Sequence, residues 1–209
     1  MKFFDCTPAP SPRRARMLIA EKGLDIETVE VDLGKGGQFD PAFSTINPSL
    51  TVPVLLLDDG TALTENTAIA VYLEDIQPQP AMLGNSAKEK ALVANWNDRC
   101  VLEGFSAIAE SYRNFSKFFA GRSVTGPQKF PQVPELVERG RARAQRFFSE
   151  LDERLEQSPY LAGEQFTMAD ISGLCVVDFA QRIKLGIGAD QTHLQRWHDK
   201  VSARPSAKL

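Results

Sequence analysis

Apolar residues follow two kinds of spacing along this chain, and the change from one to the other divides it. Lys2 to Asp5 reads as a short strand carrying Phe3 and Phe4. Pro12 to Lys22 reads as a helix with Ala15, Leu18, Ile19 and Lys22 on one face, stopped by Gly23 where a C-cap glycine belongs. Ile26 to Val31 reads as a second strand. Two further apolar runs, Val54 to Leu57 and Ala62-Leu63, flank Asp59-Gly60, a strong hairpin signal. Ile69, Tyr72, Leu73 and Ile76 then fall at offsets of 3, 4 and 7 from the first, the period of a helix face. Past Gln77-Pro78-Gln79-Pro80 the pattern is helical throughout, as in Trp96 and Cys100 and in Ala144, Phe148, Leu151 and Leu155. No internal repeat interrupts it.

A βαβ start followed by a hairpin and a helix is a thioredoxin-like arrangement. The predicted fold is therefore α/β plus all-α, with a thioredoxin-like domain over 1–77 and an all-helical domain over 86–209. In the second half, Phe166-Thr167-Met168-Ala169-Asp170-Ile171 reads as a capping box, with an acid three residues after the Thr and a Phe166 to Ile171 staple. The helix it opens is apolar almost all round from Ile171 to Ala180, which places it mid-core. Asp178 on that helix needs a partner or a route to solvent, because an unpaired buried carboxylate is costly.

The segment from Asn47 to Asn66 carries the chemistry. Pro53 follows Val52 where an apolar run begins, and since proline cannot donate to a ladder it belongs at a strand edge or turn, here as a cis bond. That geometry leaves the Val52 N–H and C=O for a ligand's peptide group. The helix after the hairpin opens at Glu65-Asn66, so free main-chain N–H groups sit beside a fixed carboxylate. One feature suits a carboxylate and the other an ammonium, which together would grip an α-amino acid.

In order and spacing this stretch resembles the glutathione-binding half of soluble glutathione S-transferases, whose cis Val-Pro pairs with the cysteinyl backbone and whose Glu-Ser pair holds the γ-glutamyl end. Asn66 stands where the family usually has Ser, and Leu50 where Gly is common. The resemblance runs from Lys2 to Arg204-Pro205-Ser206. It implies glutathione as co-substrate with no other cofactor, a small apolar or aromatic electrophile as second substrate, and a homodimer. For glutathione's glycyl end it implies Gln38 and Thr51. Reduction of a disulfide or peroxide with glutathione, or a transferase-fold interaction module without chemistry, are the alternatives it leaves.

A transferase of this kind must ionise a thiol it does not own. A free thiol near pKa 8.5 is only a few per cent ionised at neutral pH, and the thiolate is the nucleophile. The segment Thr7 to Arg16, between first strand and first helix, is where the family places the stabilising group. Ser11 is the candidate, counted back from Arg16, which matches the family's helix arginine. Ser before Pro12 is also an ideal N-cap with Pro at N1, and one hydroxyl can accept from the helix while donating to a thiolate. Thr7 and main-chain N–H groups are the other possible donors. Cys6 lies at the strand end without a Cys-x-x-Cys and reads as a small buried hydrophobe, as do Cys100 and Cys175 on helical faces.

The second substrate would lie between Ser11 and the first long helices, where Tyr112, Arg113, Phe115, Phe118 and Phe119 gather; the helical spacing of Phe115, Phe118 and Phe119 also fits plain core packing. A net charge of −3 and a pI near 5.5 argue against nucleic acid as the main partner. Arg13, Arg14 and Arg16 form the one tight basic cluster near the N-terminus and read as a solvated helix face. The three cysteines fit neither a disulfide framework nor a metal site. No apolar run approaches 18 residues, so neither a signal peptide nor a membrane span is expected, and the expected address is the cytoplasm.

Overall fold

A computed structural model describes all 209 residues. The N-terminal part holds a four-stranded sheet in the order β2-β1-β3-β4, with β1 at Lys2–Asp5, β2 at Glu27–Glu30, β3 at Val54–Leu56 and β4 at Ala62–Leu63. β1 runs parallel to β2, opposite Glu27 to Glu30, and antiparallel to β3, with Phe3 facing Leu55. β3 and β4 form the expected hairpin across Asp59-Gly60, closed by Leu57 N–H to Thr61 O at 2.8 Å.

Helix α1 (Pro10–Glu21) crosses over between β1 and β2. It ends as predicted, with Gly23 at φ +64°, a left-handed turn that glycine adopts without steric cost, while the Leu24 N–H returns to Ile19 O at 3.1 Å. Helix α3 (Asn66–Ile76) packs Ile69, Ala70 and Leu73 into the core. Between β2 and β3 the chain forms two short 3-10 turns and a helix, α2 (Pro41–Ile46), that the apolar pattern does not announce. The joint at Gln77 to Pro80 is pinned to α1: buried Lys22 reaches the carbonyls of Gln77 and Pro80 at 2.8 and 2.7 Å and ion-pairs with Glu74.

Helices make up the rest. α4 (Ala87–Arg99) continues through a wide helical turn at Cys100–Phe105 into α5 (Ser106–Phe115), and α6 (Glu135–Glu156), α7 (Met168–Ala180) and α8 (Thr192–Ser202) complete the bundle. α5 and α6 approach closely because Gly140 has no side chain; a Cβ there would meet Ala107 O at 2.5 Å. α7 is buried along nearly its whole length. Its Asp170 carboxylate accepts from the N–H groups of Thr167 and Leu161 and from Trp197 Nε1, each at 2.9 Å, and from Thr167 Oγ1 at 3.2 Å. The acid of the predicted box thus ties α7 to its own start, a loop and α8.

Two expectations are corrected. The cluster Arg13, Arg14 and Arg16 is not a solvated face, because α1 is wedged between the sheet and α7. Arg13 pairs with Asp178 at 2.5 Å, Arg16 grips buried Asp5 at 2.6 and 2.8 Å, and Arg14 is only 7% exposed. Asp178 is accordingly paired from two sides, with His198 Nε2 at 2.8 Å. The spacing of Phe115, Phe118 and Phe119 is not that of one helix. α5 stops at Phe115, the chain extends at Ser116, and Lys117–Phe119 form a 3-10 turn. The Gln132 amide takes the carbonyls of Arg113 and Ser116, both at 2.8 Å, which satisfies the end of α5 there.

Candidate active site

A cavity of about 870 Å³ opens between the N-terminal sheet region and the helical bundle. One wall comes from the first 65 residues and includes Ser11, Gln38, Thr51, Val52, Pro53 and Glu65; the other carries Phe105, Tyr112, Phe119 and Phe179.

The first wall is built as the sequence predicts at Val52-Pro53, which is a cis peptide. The Val52 N–H and C=O make no main-chain hydrogen bond, so both are available to an extended peptide. Asn47 supports this turn, its amide donating to Thr51 O at 2.8 Å and Thr51 Oγ1 at 3.1 Å. Leu50 adopts φ +56°, a left-handed conformation costing a non-glycine residue roughly 1–2 kcal/mol. That conformation accounts for the glycine common at this position in the family that the segment resembles.

α3 starts at Asn66 with Glu65 as its N-cap, and the Glu65 side chain caps nothing and remains exposed at the cavity. The first N–H groups of α3 have no main-chain acceptor. The Asn66 side chain does not face the cavity. It is buried, at 4% exposure, and its amide donates to Ser11 Oγ at 3.1 Å. What Asn66 offers a ligand is its main-chain N–H.

Ser11 lines the cavity but is not the N-cap. Ala9 holds that position with φ −89° and ψ 136°, the helix begins at Pro10, and Ser11 is already in its first turn. Two prolines fit there because first-turn N–H groups have no helical acceptor to lose. Relieved of capping, the Ser11 oxygen accepts from Asn66, and its own proton stays free for a third group. Thr7 is otherwise engaged: its hydroxyl donates to Glu30 at 3.0 Å, and it does not line the cavity. Gln38 lines the cavity with its Oε1 buried and without a partner.

On the second wall Tyr112 and Phe119 meet edge to face with centroids 5.3 Å apart, and Phe179 packs on Tyr112 at 6.0 Å. Phe115 falls outside the cavity. It is half exposed and meets Tyr112 edge to face at the last residue of α5. Phe105 and Phe179 also line the cavity, with no signal in the sequence pattern, and so does Arg14, which reads from sequence as part of a solvated face. Arg14 follows Ser11 by three residues on α1, which puts the two on one side of that helix.

Family models match over most of the chain: "Glutathione S-transferase, N-terminal domain" over residues 9–76 and "Glutathione S-transferase, C-terminal domain" over residues 123–205. The chain is 32% identical to glutathione S-transferase 2 of Saccharomyces cerevisiae, covering 100% of this chain and 88% of that protein. The chain belongs to the glutathione S-transferase family. It is also 29% identical to the disulfide-bond oxidoreductase YfcG of Escherichia coli, over 95% of this chain and 89% of that one. Its structure superimposes on a glutathione S-transferase domain-containing protein of Marinobacter aquaeolei with TM-score 0.90, at 33% identity and 99% coverage of both chains.

As a glutathione S-transferase the protein is an enzyme with glutathione as co-substrate. Its two departures from the family pattern leave the site elements intact, since Leu50 takes up the turn and Asn66 holds Ser11. Cys6 lines the cavity but is only 2% exposed, and burial, reinforced by the Glu30 and Asp5 carboxylates, pushes its thiol up. Cys175 is pushed up to about 11, mainly by burial. None of the protein's helices is long and apolar enough to cross a membrane.

Proposed function

We propose that the protein conjugates glutathione to an apolar or aromatic electrophile, with the Ser11 hydroxyl donating a hydrogen bond to the glutathione thiolate. The observation that carries this reading is the Asn66 to Ser11 hydrogen bond, which occupies the oxygen and leaves the proton for the cavity. In this reading the cysteinyl backbone pairs with Val52 beside Pro53. The γ-glutamyl ammonium meets Glu65 and its carboxylate the first N–H groups of α3, including that of Asn66. Gln38 and Thr51 receive the glycyl end, and Tyr112 and Phe119 line the electrophile's side. The thiolate attacks the electrophilic carbon, the carbon–sulfur bond forms, and the leaving group departs with its electron pair.

The unit over 1–77 binds glutathione and the helical unit over 86–209 supplies the second site. Val71 on α3 and Leu102 between α4 and α5 are exposed apolar side chains, one in each unit, that a homodimer partner would cover. Work in the cytoplasm, where glutathione is abundant, fits the three unpaired cysteines.

Reduction of a disulfide by the same thiolate is the second reading, favoured by the likeness to the disulfide-bond oxidoreductase. Glutathione and purified protein assayed in parallel with benzyl halides and with 2-hydroxyethyl disulfide separate the two. Conjugation dominates if the first reading holds, and turnover of the disulfide alone overturns it.

A further inference from the structure

Arg14 is a buried cation in the cavity wall with no counter-charge from the chain. It is 7% exposed, it makes no hydrogen bond or ion pair, and its Nε is buried without an acceptor. Its guanidinium stacks over the Phe105 ring with 4.6 Å to the centroid. Burial pulls its pKa below the ordinary arginine value. A buried cation without a counter-charge is costly, and most such groups are paired. Stacking uses the face of a guanidinium and leaves its N–H edge free, and that edge fits the two oxygens of a carboxylate.

The remaining charges of the cavity are sorted by wall. Its acids, Glu30, Asp32 and Glu65, all come from the N-terminal wall, whereas the helical wall contributes Arg113, Arg122 and Arg182 and no acid. Glu30 is engaged by Thr7 and Asp32 by Lys35. Glutathione's two carboxylates have receivers elsewhere, at the start of α3 and at Gln38 and Thr51. Arg14 instead lies against Phe105, among the rings that face the electrophile.

We propose that the second substrate is an apolar or aromatic electrophile bearing an anionic group, and that Arg14 receives that group beside Phe105. The inference rests on the assignment of the two cavity walls made under the proposed function. It adds a specificity-determining residue to a wall otherwise defined by aromatic rings.

Binding of unreactive probes tests this without turnover. Glutathione-loaded protein is titrated with 4-methylbenzoate and with the neutral 4-methylbenzamide. The carboxylate should bind at least tenfold more tightly, and Arg14→Gln should collapse that ratio to near one. Arg14→Lys, which keeps charge but not the planar fork, should retain an intermediate ratio, and it serves if the Gln variant fails to fold. Equal affinity of the two probes for the wild-type protein overturns the proposal, as does a ratio that survives in both variants. A surviving ratio with a raised pKa of bound glutathione would assign Arg14 to the thiolate instead. If the probe preference holds while benzyl halides are not conjugated, the conjugation reading fails and the anion site stands.

Discussion

Removing the Ser11 hydroxyl should weaken ionisation of bound glutathione, and the Asn66 contact makes the effect separable from mere packing. A hydrogen bond to a charged acceptor contributes about 1.5–3 kcal/mol, and about 1.4 kcal/mol corresponds to one pKa unit. Ser11→Ala should therefore raise the pKa of the bound thiol by about 1–2 units, with turnover below that pKa falling roughly ten- to a hundredfold as the ionised fraction shrinks. Asn66 acts as a positioning residue through the 3.1 Å bond to Ser11 Oγ. Asn66→Ala should raise the thiol pKa by a smaller amount, about half a unit, since the hydroxyl survives but loses its fixed orientation. In the double variant the Asn66 change should add nothing. Ultraviolet absorbance of the thiolate against pH, on glutathione-saturated protein, reads all four corners of this cycle. Two single effects that simply add would refute the positioning role, and an unmoved pKa in Ser11→Ala would refute the serine assignment.

Other parts of the structure give independent tests. Burial raises the Asp178 carboxyl, but the hydrogen bonds from His198 and Arg13 outweigh it and hold it below the usual carboxylate range. Its stabilising contribution is thus present above the unfolded value and is lost as pH falls through the lower folded value. Asp178→Asn should cost about 1–2 kcal/mol at neutral pH, and in denaturant titrations the gap to wild type should close below about pH 4. Asp170→Ala strands the Leu161 and Thr167 N–H groups and the Trp197 indole; it should cost about 3–5 kcal/mol and lower Tm by on the order of 10 °C in a thermal melt. Cys6→Ser should leave conjugation kinetics within about twofold, because its thiol is buried and raised; a large loss would give Cys6 a chemical role.

Much of this fold is legible in local sequence because the decisive interactions are local. The Asp59-Gly60 turn, the Gly23 helix stop, the cis Val52-Pro53 step and the Thr167 to Asp170 spacing each depend on a few consecutive residues. Helix α2 escapes notice because six residues with only Phe43 buried do not complete a readable period. Ser11 lies two positions deeper in the helix than expected, since two prolines at Pro10 and Pro12 fit the first turn of a helix equally well. The burial of Arg14 cannot be seen from patterning. A charge on a helix reads as solvent-facing, and only the packing of α1 against α7 and Phe105 turns it inward. Leu50 is similar, for nothing in the residue type announces a positive φ.

If the cavity is the transferase site, it binds glutathione and ionises its thiol. Calorimetric titration of the purified protein with glutathione, followed in the same sample by thiolate absorbance against pH, tests it most directly. Saturable binding is expected, with a thiol pKa well below the free value of about 8.5. Absence of binding, or binding with an unshifted thiol, would contradict it.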